Sequence, residues 1–303
     1  MLMTAVERRM SNFSADNLRQ ILLRGRNADG GWGYYPEKAS RIEPTCWAAL
    51  CLSRDQSSTT GLMGTGRWLA SRQREDGFLD DSTGGSPNLG FNGVAALVLR
   101  SFDTPPPESA TRLFAALGRT KGVALKNGTD RQDNTLRGWS WIEGTFSWLE
   151  PTSWCLLALK KASTLLPSAV RTVRIEEAEQ LLLDRVCRSG GWNYGNSNVL
   201  GQELNAYVPT TALALLALQD HRDHPSVKKS LDYLVRHRLA EPAGMALSLT
   251  SICLRVYGVT APDVDERLAA LAERHSFFSN LHIAAMAHYS LTGQDYDVKD
   301  FRL

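Results

Sequence analysis

Two glutamates stand where a carboxylic acid could do chemistry. Glu43 and Glu150 each precede a proline at the start of an apolar run, in Glu43-Pro44-Thr45-Cys46-Trp47-Ala48-Ala49-Leu50 and in Glu150-Pro151-Thr152-Ser153-Trp154-Cys155-Leu156-Leu157. A carboxyl group held among apolar side chains loses the hydration of its charged form, so its pKa rises and it can deliver a proton. The competing reading is electrostatic, because a carboxylate near a helix N-terminus is favoured by the helix dipole. Glu is a poor N-cap, which keeps the acid reading open. Aromatic residues crowd the same segments. Trp32, Trp139, Trp141 and Trp192 lie in glycine-containing turns, and Trp47, Trp148 and Trp154 lie at the starts of apolar runs; Trp68 stands apart. Aromatic walls suit an apolar polyene and stabilise a carbocation by roughly 0.5–2 kcal/mol per ring. The alternative for the turn tryptophans is structural: each would pin one helical hairpin to the next.

The elements that position these residues repeat. The turns Gly30-Gly31-Trp32-Gly33-Tyr34, Gly138-Trp139-Ser140-Trp141 and Gly190-Gly191-Trp192-Asn193-Tyr194 each precede an apolar run, the third being Val208-Pro209-Thr210-Thr211-Ala212-Leu213. Trp32 to Pro44 is twelve residues, Trp139 to Pro151 is twelve, and Trp192 to Pro209 is seventeen. Asp76-Gly77-Phe78 leading to Asn92-Gly93-Val94-Ala95-Ala96-Leu97 is a degenerate copy, and 243–257 and 280–291 are two further apolar segments. Amphipathic segments predict partner helices over 16–26, 64–74, 110–120, 176–187, 226–237 and 264–275. An apolar run with no polar face predicts a helix buried on all sides, and Pro at its first turn marks its start. No alternating β-branched run argues for a sheet. Six hairpins, each with one buried and one amphipathic helix, predict an all-α fold: a single (α/α)6 toroid over 1–303, with the last ten or so residues a charged tail. An open solenoid would need polar end caps, and the last repeat still carries an apolar helix.

Composition narrows the partners. The chain has 303 residues, with 34 Lys and Arg against 32 Asp and Glu. That balance offers no basic stripe for nucleic acid and no polybasic membrane anchor. No apolar run reaches the roughly 20 residues that span a bilayer, and the first residues hold no apolar secretory segment. The five cysteines are widely spaced and form no CxxC pair, so neither a disulfide framework nor a zinc knuckle is expected. A cytoplasmic protein follows, with Cys46 and Cys155 as inert core thiols. Asp220-His221-Arg222-Asp223-His224 has metal-ligand residue types but reads as a solvated loop before a helix.

The glycine–aromatic turn followed by a Thr-containing apolar helix resembles the repeats of the terpenoid cyclase and protein prenyltransferase α-toroids, most closely the squalene-hopene cyclase branch. The resemblance covers nearly the whole chain and implies a central cavity opening at the rim of the inner-helix N-termini. Protonation-initiated cyclases carry their acid in an Asp-x-Asp-Asp-Thr-Ala motif, which falls here on Arg41-Ile42-Glu43-Pro44-Thr45-Cys46. Glu43 takes the register of the proton-donating aspartate, Glu150 takes it in the second strong repeat, and the flanking aspartates are missing. The zinc site of the prenyltransferases has no counterpart, because its histidine aligns with Pro44 and no Asp-x-Cys occurs. The expected site has Glu43 and Glu150 as acids and Trp47, Trp154, Trp148, Thr45, Thr152, Tyr34 and Trp141 against the ligand, with no metal and no cofactor. The implied activity is a metal-independent, protonation-initiated cyclase acting on a polyprenyl-type ligand. Two alternatives stay open: a non-catalytic module holding an apolar ligand or a partner peptide, and a carbohydrate hydrolase or lyase with paired acids and aromatic platforms. Oligomeric state and substrate identity are not legible.

Overall fold

A computed structural model describes residues 5–54, 59–81, 85–101, 108–126, 131–162, 165, 167–274, 279–292 and 298–303. Twelve α-helices run through the described residues: α1 (Ala5–Arg24), α2 (Ile42–Leu52), α3 (Thr59–Ser71), α4 (Leu89–Ser101), α5 (Glu108–Arg119), α6 (Leu149–Lys161), α7 (Ser168–Asp184), α8 (Val208–Ala217), α9 (Pro225–His237), α10 (Gly244–Val256), α11 (Pro262–Arg274) and α12 (Leu281–Leu291). Amphipathic and apolar helices alternate, as the repeat pattern predicts. In α2 every residue except Glu43 is buried, and all ten residues of α8 are. The partner helices bury one stripe only, such as Ala110, Leu113, Phe114 and Leu117 of α5. Helices apolar all round must be enclosed by other helices, and those with one stripe face water on the other side.

The helices form two compact units. One holds residues up to Ser71 together with Arg238–Arg302, so the two ends of the chain share a core. In it α12 packs on α1, α2 and α10, and α11 packs on α1, α10 and α12. The other holds Arg72–His237, where α4, α6 and α8 pack side by side and α5, α7 and α9 cover them.

The glycine turns are stapled to their helices by one recurring device. The Trp32 N–H donates to Thr45 Oγ1 at 2.9 Å, and the Thr45 hydroxyl donates back to the Trp32 carbonyl at 3.2 Å. Trp139 with Thr152, and Trp192 with Thr211, repeat the first bond at 3.0 Å. In the degenerate copy Asn92 takes the same role against both backbone groups of Leu79. Each turn indole is buried and donates from Nε1 into the end of the preceding partner helix, to the carbonyls of Leu22, Leu117 and Leu182. The approach leaves no room for a side chain at the preceding residue: a Cβ on Gly191 would lie 2.6 Å from Thr211 Oγ1, and its φ of +76° is itself costly for other residues. Replacing Thr45 by Val keeps the shape but strands a buried N–H. We expect a loss of about 1–3 kcal/mol in urea unfolding, with Thr45→Ser close to wild type.

A second lock joins neighbouring hairpins. The first N–H of α4 donates to the Trp141 carbonyl (2.9 Å), and that of α6 to the Tyr194 carbonyl (3.0 Å). The first N–H of α12 donates to the Tyr34 carbonyl at 2.7 Å. Each acceptor stands two residues after a turn tryptophan, so the last apolar helix uses the first turn as the interior helices use the next one.

Three departures from the sequence reading have local causes. α7 starts at Ser168 rather than near Glu176, because its first turns expose Val170 and Val173 and break the apolar stripe. The five extra residues between Trp192 and Pro209 include a two-stranded hairpin, Asn198–Val199 against Gln202–Glu203, turning at Leu200 and Gly201 with φ of 52° and 76°. The C-terminal tail is in part no tail: Val298 and Phe301 are 1% and 0% exposed, while residues 293–297 lie outside the described residues.

Candidate active site

Glu43 enters the first turn of α2 because Arg41 is extended at the cap position and Pro44 needs no N–H partner there. Its side chain is 14% exposed. Tyr34, held by the Trp32 turn, donates from its hydroxyl to Glu43 Oε2 at 2.7 Å. On the other side, His282 Nε2 lies 3.7 Å from Glu43 Oε1. His282 is the second residue of α12, whose cap residue Asn280 accepts from the N–H groups of His282 and Ile283. Its ring meets Tyr34 edge-on at 6.0 Å and lies 6.3 Å from Trp47. One turn below Glu43, the buried Trp47 stacks on Phe301 at 5.4 Å and meets Tyr289 edge-on at 6.1 Å.

The carboxyl group therefore has a hydroxyl donor on one oxygen, an imidazole near the other and aromatic rings beneath. Burial pushes His282 down to about 4, so it is neutral at neutral pH. The depressed value sets the sign of its effect on stability. Its contribution is whole above pH 6.5 and is lost as the pH falls towards 4, because the unfolded chain takes up a proton that the folded one refuses. The expected loss is at most roughly 3 kcal/mol. His282→Asn should flatten the decline in stability between neutral pH and pH 4.5, measured by urea unfolding; an unchanged slope would refute this assignment.

Tyr34, Glu43, Thr45 and Trp47 belong to the first unit, and Trp141, Trp148, Glu150, Thr152 and Trp154 to the second. Glu150 repeats the register of Glu43 at the start of α6 and is partly buried. Trp148, half-buried, packs on Phe146 at 4.9 Å, and Trp141 meets Phe91 edge-on at 6.3 Å. Trp154 is buried, and its backbone leaves no room for a Cβ on Gly93. The hydroxyls of Thr45 and Thr152 are engaged by the turn backbone. His282, Tyr289 and Phe301 escaped the sequence reading. The missed signal for His282 was register: it is the second residue of its apolar helix, as Glu43 and Glu150 are of theirs.

Cys46 and Cys155 are both buried, and burial pushes the Cys155 thiol well up. Glu179, Asp220 and His221 bring ligand-type atoms within 4.8 Å of one another, but the Lys160 ammonium sits among them, 2.6 Å from Glu179 and 2.5 Å from Asp220. No helix of the described residues is long and apolar enough to cross a membrane.

Sequence comparison matches neither a protein-family model nor a curated protein. Solved structures match over nearly the whole chain. A variant of type II terpene cyclase MstE from Scytonema, in complex with geranylgeranyl dihydroxybenzoate as substrate, is 15% identical with a TM-score of 0.65, covering 98% of this chain and 99% of that one. A second variant, in complex with the product merosterolic acid A, is 17% identical with a TM-score of 0.64, covering 96% and 98%. Rex8A from Paenibacillus barcinonensis, in complex with an arabinofuranosyl-xylotetraose, is 11% identical with a TM-score of 0.57, covering 96% and 93%. At these identities the likeness is one of fold. The chain has a terpenoid cyclase-like, all-α toroid fold.

Proposed function

We propose that the protein acts on an apolar polyprenyl-type ligand as a metal-independent, protonation-initiated cyclase, with Glu43 as the proton donor. The observation that carries this reading is the arrangement of Tyr34, Glu43 and His282 above Trp47. In the proposed step the Glu43 O–H bond breaks and its proton goes to a terminal alkene carbon. The alkene's π electrons form the new C–H bond and leave a carbocation on the neighbouring carbon. Tyr34, donating to Oε2, stabilises the carboxylate that remains after the transfer. Neutral His282 adds no positive charge beside the cation. The π electrons of a second double bond then form the ring-closing C–C bond, and the proton lost from the new cation passes to solvent, from which Glu43 is reprotonated, so the net change is an isomerisation. The likeness to MstE, whose variant holds a geranylgeranyl-bearing substrate, supports the ligand class.

Incubating the protein with geranyl-, farnesyl- and geranylgeranyl-bearing substrates tests the proposal. A product of unchanged mass with fewer double bonds is expected. Binding without any such product would sink the catalytic reading and leave a carrier of apolar ligands. Failure to bind any of them would sink the ligand class as well.

A further inference from the structure

Among the three strong repeats only the third carries extra residues before its apolar helix, and they help to build a cavity. Insertions carried on a rigid scaffold are where binding residues concentrate. Gln132, itself buried, pins the entry to the hairpin at 198–203: its Oε1 accepts from the N–H groups of Ser197 and Asn198 at 3.2 and 3.4 Å. Beside the hairpin lies a cavity of about 100 Å³, several times what one water needs. Arg131, Asp184, Arg188, Ser197, Asn198 and Glu203 line it, all within the second unit.

Some of these groups are already engaged. Asp184 pairs with Arg185 and accepts from the Asp133 N–H. Glu203 Oε1 takes the Arg131 guanidinium at 2.9 Å. Others have no partner among the described residues. They are the Ser197 hydroxyl, the Asn198 amide, the Arg188 guanidinium and the second carboxylate oxygen of Glu203. Ser197 and Asn198 are only 8% and 4% exposed. A polar side chain buried without a hydrogen bond is costly, so these two call for a polar occupant of the cavity they line. Water serves a hydroxyl and an amide. It does not answer the unmatched charges of opposite sign, on Arg188 and on Glu203.

We propose that this cavity binds a small zwitterionic α-amino acid, its carboxylate on Arg188, Ser197 and Asn198 and its ammonium on Glu203. Asn198 and Glu203 are direct partners across the two strands, so their side chains leave the same face of the hairpin with Cβ atoms about 5 Å apart. That separation suits the two ends of one amino acid, which sit on a single carbon. A guanidinium takes a carboxylate through two parallel hydrogen bonds, and the amide and hydroxyl add neutral donors. The carboxylates of Asp184 and Glu203 oppose a simple anion, and Arg131 and Arg188 oppose a simple amine. The volume limits the ligand to the size of glycine or alanine. Glu43 belongs to the other unit, and the proposal is independent of the polyprenyl reading.

Titration calorimetry of the full chain with glycine, L-alanine, acetate and methylamine tests this. Both amino acids should bind at least about tenfold more tightly than acetate or methylamine, each of which lacks one charged end. Arg188→Gln and Glu203→Gln should each weaken glycine by about tenfold or more. Both residues are exposed, so both variants should fold, which urea unfolding checks. The ligand series on wild type needs no variant at all. Failure to bind either amino acid, acetate or methylamine binding as tightly as glycine, or glycine affinity unchanged in either variant would each overturn the proposal.

Discussion

Glu43→Gln is expected to lower the single-turnover rate on a polyprenyl substrate by about 10²–10⁴, the contribution of a positioned general acid. Glutamine keeps the size of the side chain, and its carbonyl oxygen can still accept from the Tyr34 hydroxyl, which lies 2.7 Å from Glu43 Oε2. Ligand affinity should therefore change little, so the loss falls on the rate rather than on binding. Tyr34→Phe leaves the acid but removes the donor that stabilises its conjugate base, and a smaller fall is expected. Glu150→Gln is the internal comparison, because Glu150 shares the register of Glu43. Product analysis by mass spectrometry under single-turnover conditions decides between them. If Glu43→Gln turns over at the wild-type rate while Glu150→Gln does not, the acid is Glu150.

The largest effect on stability should come from Trp139→Ala. Truncating a fully buried tryptophan costs about 3–5 kcal/mol through lost burial and the cavity left behind. Two further losses add to that here. The Leu117 carbonyl loses the indole N–H donor at 3.0 Å. The Arg174 guanidinium, centred 4.1 Å from the ring, loses the aromatic face it lies on. Arg174 is only 1% exposed, and burial already holds its pKa below the usual guanidinium value. Its Nη2 still donates to the Gly138 carbonyl, so the charge stays buried with fewer partners. An expected loss of about 5 kcal/mol sits at the top of that range. Trp148→Ala, at a half-buried ring, should cost much less. Urea unfolding of the two variants tests the contrast, and equal midpoints would refute the account of the turn tryptophan as the pin of its hairpin.

The sequence by itself determined the helical repeat. An all-apolar run must be enclosed, an amphipathic run must face water on one side, and a glycine turn carrying tryptophan recurs before Thr45, Thr152 and Thr211. Those signals are local, each lying within one hairpin, so periodicity and spacing reveal them. The register that singled out Glu43 is local too. What the register could not supply was the company Glu43 keeps. Tyr34 reaches it across a turn, His282 comes from 239 positions along the chain, and Phe301 arrives from the C-terminal segment. The sequence treats His282 as one of several late histidines and residues 298–303 as part of a charged tail. The packing of α12 on α1 and α2 and of α11 on α1, with the first N–H of α12 bonded to Tyr34, joins the two ends of the chain into one core. A contact between distant segments leaves no period or spacing to read, because it depends on how every intervening hairpin turns. Burial, which holds His282 neutral and hides Phe301, is likewise a property of the assembled core and not of any residue within it.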